Sequence, residues 1–196
     1  MNRRYLILFG SLWLLLIVIL AIYQSKTGTE PEVTPPITSP TASETAVQYE
    51  ERGIALVEEH RYDEAIIEFN KAIELNPELA MAYANRGYAY YGQGDFDQAI
   101  ADCSKAIELN PNLAMAYNNR GIAYGVQEGY DKAIADFDKA IELDPGLAIA
   151  YYNRAYANKL LWRKAPAIAD LEKFIELSDD PGLVESARQL LDELNR

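Results

Sequence analysis

The chain repeats itself at a fixed interval. Asn76-Pro77, Asn110-Pro111 and Asp144-Pro145 stand 34 residues apart. A period of this length marks a supersecondary unit that cannot bury its apolar face alone and must stack on its neighbours. Four units align over 46–79, 80–113, 114–147 and 148–181. The middle two open AMAYANRGYAY and AMAYNNRGIAY, the outer two AVQYEERGIAL and AIAYYNRAYAN.

Each unit carries two helical patterns. The first runs from the Ala-x-x-Tyr opening to a break near Gly92–Gly94 or Glu128–Gly129. The second, as in DQAIADCSKAIEL, places Ala99, Ile100, Cys103, Ile107 and Leu109 on one stripe at helical spacing. Asn-Pro or Asp-Pro then stops it. Loops this short force antiparallel neighbours. Gly53, Gly87, Gly121 and Ala155 share one place in the first pattern, and Ala65, Ala99, Ala133 and Ala167 share one in the second. Glycine within a helix costs about 1 kcal/mol relative to alanine, so three in register imply close approach of the two helices. Most of the 14 tyrosines fall in rows that fill the remaining space, such as Tyr49, Tyr83, Tyr117 and Tyr151.

These features resemble the tetratricopeptide repeat family: the period, the small residue at the eighth place, the aromatic at the turn (Tyr62, Phe96, Tyr130), the alanine of the second helix and the closing proline. The resemblance covers 46–179. It implies an all-α, right-handed superhelical solenoid of four helical hairpins. The fourth unit departs from the pattern, with Lys164 for the aromatic, Phe174 for alanine and Asp179 for proline. Residues 182–196 then read as a capping helix, with Leu183, Val184, Ala187, Leu190, Leu191 and Leu194 on its apolar face.

Two rows carry opposite charge. The seventh place is always arginine (Arg52, Arg86, Arg120, Arg154) and the twenty-third always acidic (Glu68, Asp102, Asp136, Asp170). Four stacked ion pairs are expected, within units or between them; the other reading is a basic stripe offered to a ligand. In the resembled fold the first helices line a concave groove in which extended peptides commonly bind. The places facing inward would be the second (Val47, Met81, Met115, Ile149), the fifth (Glu50, Ala84, Asn118, Tyr152), the sixth (Glu51, Asn85, Asn119, Asn153), the ninth (Ile54, Tyr88, Ile122, Tyr156) and the twelfth. Carboxamides there could meet a peptide backbone as donors and acceptors, with Met, Ile and Tyr supplying apolar contact. The alternative is that asparagine is merely tolerated on a wet helix face. The subtype of this family that grips chaperone C-termini wants Lys and Asn at the first unit's fifth and ninth places, where Glu50 and Ile54 stand.

The first 44 residues are different. Tyr5 to Tyr23 contains no charge over 19 residues, roughly 28 Å of helix against a hydrocarbon core of about 30 Å. Arg3 and Arg4 precede it, so residues 1–4 are expected in the cytoplasm, 5–23 as a transmembrane signal anchor and the rest outside. The competing expectation is a cleaved signal peptide, for which Ala21-Ile22-Tyr23 is a poor cleavage site. Residues 24–44, rich in Thr, Pro, Ser and Glu, read as a disordered linker. The overall style is that of a bacterial plasma-membrane protein.

Residues 1–44 hold equal numbers of bases and acids, so the net charge of −12 belongs to 45–196. Such a domain repels phosphate backbones, which argues against nucleic acid as a partner. His60 and Cys103 are the only residues of their kinds, so no disulfide or Cys/His metal site can form. His60 reads as a solvated turn residue and Cys103 as an inert core thiol. With no phosphate loop or nucleophile motif in view, the expectation is a cofactor-free, non-catalytic scaffold that binds a protein or peptide. A structural subunit of an envelope complex that uses its convex face, and a non-catalytic subunit of an enzyme, are the alternatives.

Overall fold

The computed structural model describes residues 42–195. The expected cytoplasmic N-terminus, the membrane segment 5–23 and most of the linker lie outside the described residues. Among the described residues no helix is long and apolar enough to cross a membrane.

The described residues form nine helices and no strand. Four hairpins follow one another: α1 (Ala42–Glu58) with α2 (Tyr62–Leu75), α3 (Ala80–Gln93) with α4 (Phe96–Leu109), α5 (Ala114–Val126) with α6 (Tyr130–Leu143), and α7 (Ala148–Leu160) with α8 (Lys164–Leu177). A last helix, α9 (Pro181–Asn195), packs on α8. Each second helix also touches the next first helix, and successive first helices touch each other. The stack is therefore a solenoid of hairpins. Helix α1 begins at Ala42, so the last three residues expected in the linker are helical; no proline lies between Pro40 and Pro77, and Ala and Glu favour the helix.

The turns have specific chemistry. Asn76, Asn110 and Asp144 each leave the helix in an extended conformation. Their side-chain oxygens accept from the N–H two residues on, at 3.2, 3.1 and 2.9 Å. The proline between them cannot continue the helix. In the fourth unit the proline moves to Pro181, the first position of α9, and Asp180 accepts from the N–H groups of Gly182 and Leu183 at 2.8 and 3.0 Å. A helix start has replaced a plain turn.

At the corner inside each hairpin the fifteenth residue is left-handed: His60, Gly94, Glu128 and Trp162, with φ between 58° and 87°. Only one of them is the residue that adopts this conformation without strain.

The core is built from contacts between small and large residues. A Cβ placed on Gly121 would lie 2.6 Å from the Phe137 ring, and one on Gly53 would lie 2.7 Å from Phe69 Cδ1. Cys103 occupies the same slot against Gly87, where an added Cβ would meet Sγ at 2.7 Å. Burial pushes that thiol up to about 12, well outside the range of a reactive cysteine. In the last hairpin Leu171 faces Ala155, and Phe174 fills the space next to Ala187 and Tyr152. Leu190 of α9 is buried there as well, with Val184, Leu191 and Leu194 partly covered; Leu183 is exposed.

Candidate functional site

The arginine row lies between the two helices of each hairpin. Arg86 Nε and Nη2 donate to Asp102 at 2.6 and 2.8 Å, Arg120 does the same to Asp136 at 2.8 and 2.8 Å, and Arg154 to Asp170 at 2.9 and 2.6 Å. These pairs lie within a hairpin. The third guanidinium nitrogen reaches back to the preceding one: Arg86 to Asn70 at 2.6 Å, Arg120 to Ser104 at 3.1 Å and Arg154 to Asp138 at 2.6 Å. Each guanidinium also sits over a tyrosine of its own helix, Tyr83, Tyr117 or Tyr151. Asp136 holds the Arg120 guanidinium above its ordinary pKa.

The first pair is looser. Arg52 is exposed and makes one bond to Glu68 at 2.8 Å, while Lys71 takes the other oxygen at 2.7 Å. Together Lys71 and Arg52 pull the Glu68 carboxyl below its usual range. Three of the four guanidiniums are thus fully bonded, and only Arg52 stays exposed.

Two of the expected asparagines require a correction. Asn118 is 2 % exposed and Asn119 4 %. Both are occupied: between hairpins Asn119 Nδ2 donates to the Ala84 carbonyl at 3.3 Å and Asn153 Nδ2 to Asn118 Oδ1 at 3.0 Å, and within α5 Asn118 Nδ2 donates to Asn119 Oδ1 at 3.4 Å. Asn85 Nδ2 donates to Glu50 Oε1 at 3.3 Å. The sixth place of one unit thus binds the fifth place of the unit before. Buried amides need partners, and these find them in the adjoining helix, so Asn118 and Asn119 are not available to a peptide. Burial raises the Glu50 carboxyl above its ordinary value; the Asn85 hydrogen bond opposes this and the Glu51 charge adds to it.

The other expected residues divide. Glu51 is exposed, Met81 and Met115 are exposed near the starts of α3 and α5, and Tyr88 is half-buried beside Tyr91. Tyr152, Asn153 and Tyr156 are brought together in a cleft of about 510 Å³ between the first helices of the second, third and fourth hairpins. Gly121, Ile122, Gly125 and Val126 of α5 line it, together with Tyr91 of α3, Tyr130 and Phe137 of α6 and Leu160 of α7. Tyr156 is 50 % exposed. Glu128 is the one charged residue lining the cleft.

Tyr91 and Gly125 hold the twelfth place, Val126 and Leu160 the thirteenth. The twelfth row belonged to the inward set, and its sequence of Val57, Tyr91, Gly125 and Lys159 was the available signal. The thirteenth gave none. Among the described residues no group of three His, Cys, Asp or Glu side chains is arranged to hold a metal ion.

A stack of helical hairpins in a 34-residue register, with interlocked small and aromatic places, defines a class of helical repeat protein. Family profiles described as tetratricopeptide repeat match residues 80–113 and 114–147, and one described as TPR repeat matches 53–94. The TPR domain of Arabidopsis OM64 is 30 % identical, with 62 % of this chain and 98 % of that one covered and a TM-score of 0.56. The first TPR of Spaghetti (RPAP3), solved with the HSP90 peptide SRMEEVD, is 28 % identical over 61 % of this chain and 95 % of that one, TM-score 0.58. MamA is 27 % identical over 67 % and 77 %, TM-score 0.59. Among curated proteins no match is found. The chain belongs to the tetratricopeptide repeat family.

Proposed function

We infer that this chain is a non-catalytic scaffold, tethered to a membrane through residues 5–23, that holds a protein or peptide partner against its first helices. The observation that carries this reading is the aromatic cleft over α5, where Tyr152, Tyr156, Ile122 and Val126 leave apolar surface open. Concave, largely apolar sites with a few polar groups are where proteins take ligands. The RPAP3 domain, similar in sequence and fold, was solved with a peptide, which supports a peptide-binding role. That peptide is rich in acids, whereas Glu50 and Ile54 stand here at places where the chaperone-gripping subtype has Lys and Asn. The partner is accordingly a different one.

A photo-crosslinking residue at Tyr156 tests the reading against a contact through the second helices. Ile67 of α2, 52 % exposed, provides the control position. Capture from Tyr156 and not from Ile67 is the expected result; capture from Ile67 alone would transfer the function to the other face. Protease digestion of whole cells against inverted vesicles tests the side of the membrane, with the repeats expected to be cut in whole cells.

A further inference from the structure

Gly125 is the penultimate residue of α5, and packing does not explain it. An added Cβ there would meet only Ala133 Cβ, at an ordinary 3.9 Å. The other units carry Val57, Tyr91 and Lys159 at this place, so the fold accepts long side chains in that register. What its bareness leaves is the floor of the cleft between Tyr91, Ile122, Val126, Tyr152, Tyr156 and Leu160.

Glu128 lines the same cleft and holds the left-handed conformation, φ 60°, that the fifteenth residue of every unit adopts. It is exposed and has no ion pair among the described residues. Lys159, the one base among the sixth- and twelfth-place residues, is held by Glu193 at 2.9 Å. The cleft therefore offers apolar aromatic surface beside one unpaired carboxylate.

We propose that the cleft over Gly125 is an anchor pocket for a bulky apolar side chain of an extended cationic peptide, with Glu128 taking the neighbouring Lys or Arg. This rests on the groove reading above and adds the chemistry of the partner. The amphipathic tyrosines hold an inserted indole or phenyl ring, and the Glu128 carboxylate attracts the base beside it.

The test uses the full-length chain and a fluorescein-labelled octapeptide with a central Trp between Lys residues, read by anisotropy. Replacing the Trp by Ala, or the Lys residues by Glu, is expected to weaken binding about tenfold or more, the loss typical of an anchor residue. Gly125→Tyr is expected to abolish the preference for Trp, and Glu128→Gly to reduce the preference for Lys. Both variants should melt no lower than the native chain, which separates loss of the pocket from loss of the fold. Equal affinity for the Glu version, failure of every peptide to bind, or an unchanged Trp preference in Gly125→Tyr overturns the proposal. So does a concentration-dependent dimer that Gly125→Tyr dissolves, since a second copy would then be the occupant. If the partner still crosslinks from Tyr156 while these peptides fail, the groove reading stands and the pocket chemistry falls.

Discussion

Gly121 and Gly125 sit one turn apart on α5 and answer to different constraints. Around Gly121 the helix meets α6: Phe137 rests where a side chain would be, and beside it Arg120 is bonded to Asp136 and Ser104. Gly125 borders the same cleft as Gly121 and Phe137, but no ring rests on it: the nearest atom to an added Cβ is Ala133 Cβ, at 3.9 Å. One turn of the helix is filled to contact. The next is left open. A repeat fold can separate the two because stacking needs only the places packed against the hairpin partner and the adjoining units; the other places are free to vary from unit to unit.

The contrast breaks most severely at the ion pairs. Arg120→Leu leaves Asp136, 6 % exposed, without its two guanidinium donors and should cost about 3 kcal/mol by urea denaturation. The Arg120→Leu/Asp136→Leu double variant should recover most of that. An unchanged midpoint in the single variant would mean that the row contributes nothing. Next comes Gly121→Leu, which forces the Phe137 ring aside and should cost about 2–3 kcal/mol. Gly125→Ala, one turn away, should gain up to about 1 kcal/mol, so the two variants should shift the thermal midpoint in opposite directions.

Smaller effects sharpen the comparison. His60, Glu128 and Trp162 hold left-handed conformations where Gly94 is relaxed. Replacing any of the three by glycine should stabilise the fold by about 0.5–1 kcal/mol, and Gly94→Ala should lower it by a similar amount. The smallest effect lies at Glu50. Its carboxyl titrates above the ordinary value because it is buried, so the folded state holds the proton more tightly than the unfolded one. Its contribution is fully present below the unfolded pKa and is lost as pH rises through the folded one. Glu50→Gln keeps an acceptor for Asn85 and should raise the melting point at pH 7 while leaving it nearly unchanged at pH 4.

Much of this was legible in the sequence, because a period reads identical environments several times over. The hairpins, the glycine–aromatic contacts and the opposed charges of the seventh and twenty-third rows all follow from places that recur. What did not follow was the direction of the asparagine row. A row of Asn85, Asn119 and Asn153 looks alike whether it faces a groove or the next helix, and only the stacking angle commits Asn119 to the Ala84 carbonyl. Gly121 and Gly125 are equally indistinguishable as letters. One is required by a ring in another helix and the other by nothing in the fold, a difference that exists only once α5 and α6 are packed.

The most direct measurement is the crosslinking yield to the partner from Tyr156 in the native chain and in Gly125→Tyr, with the thermal midpoint recorded for both. A midpoint equal to or above the native one, with the yield reduced about tenfold, is the predicted result. A folded Gly125→Tyr chain that captures its partner undiminished would contradict the claim that this cleft is where the protein binds.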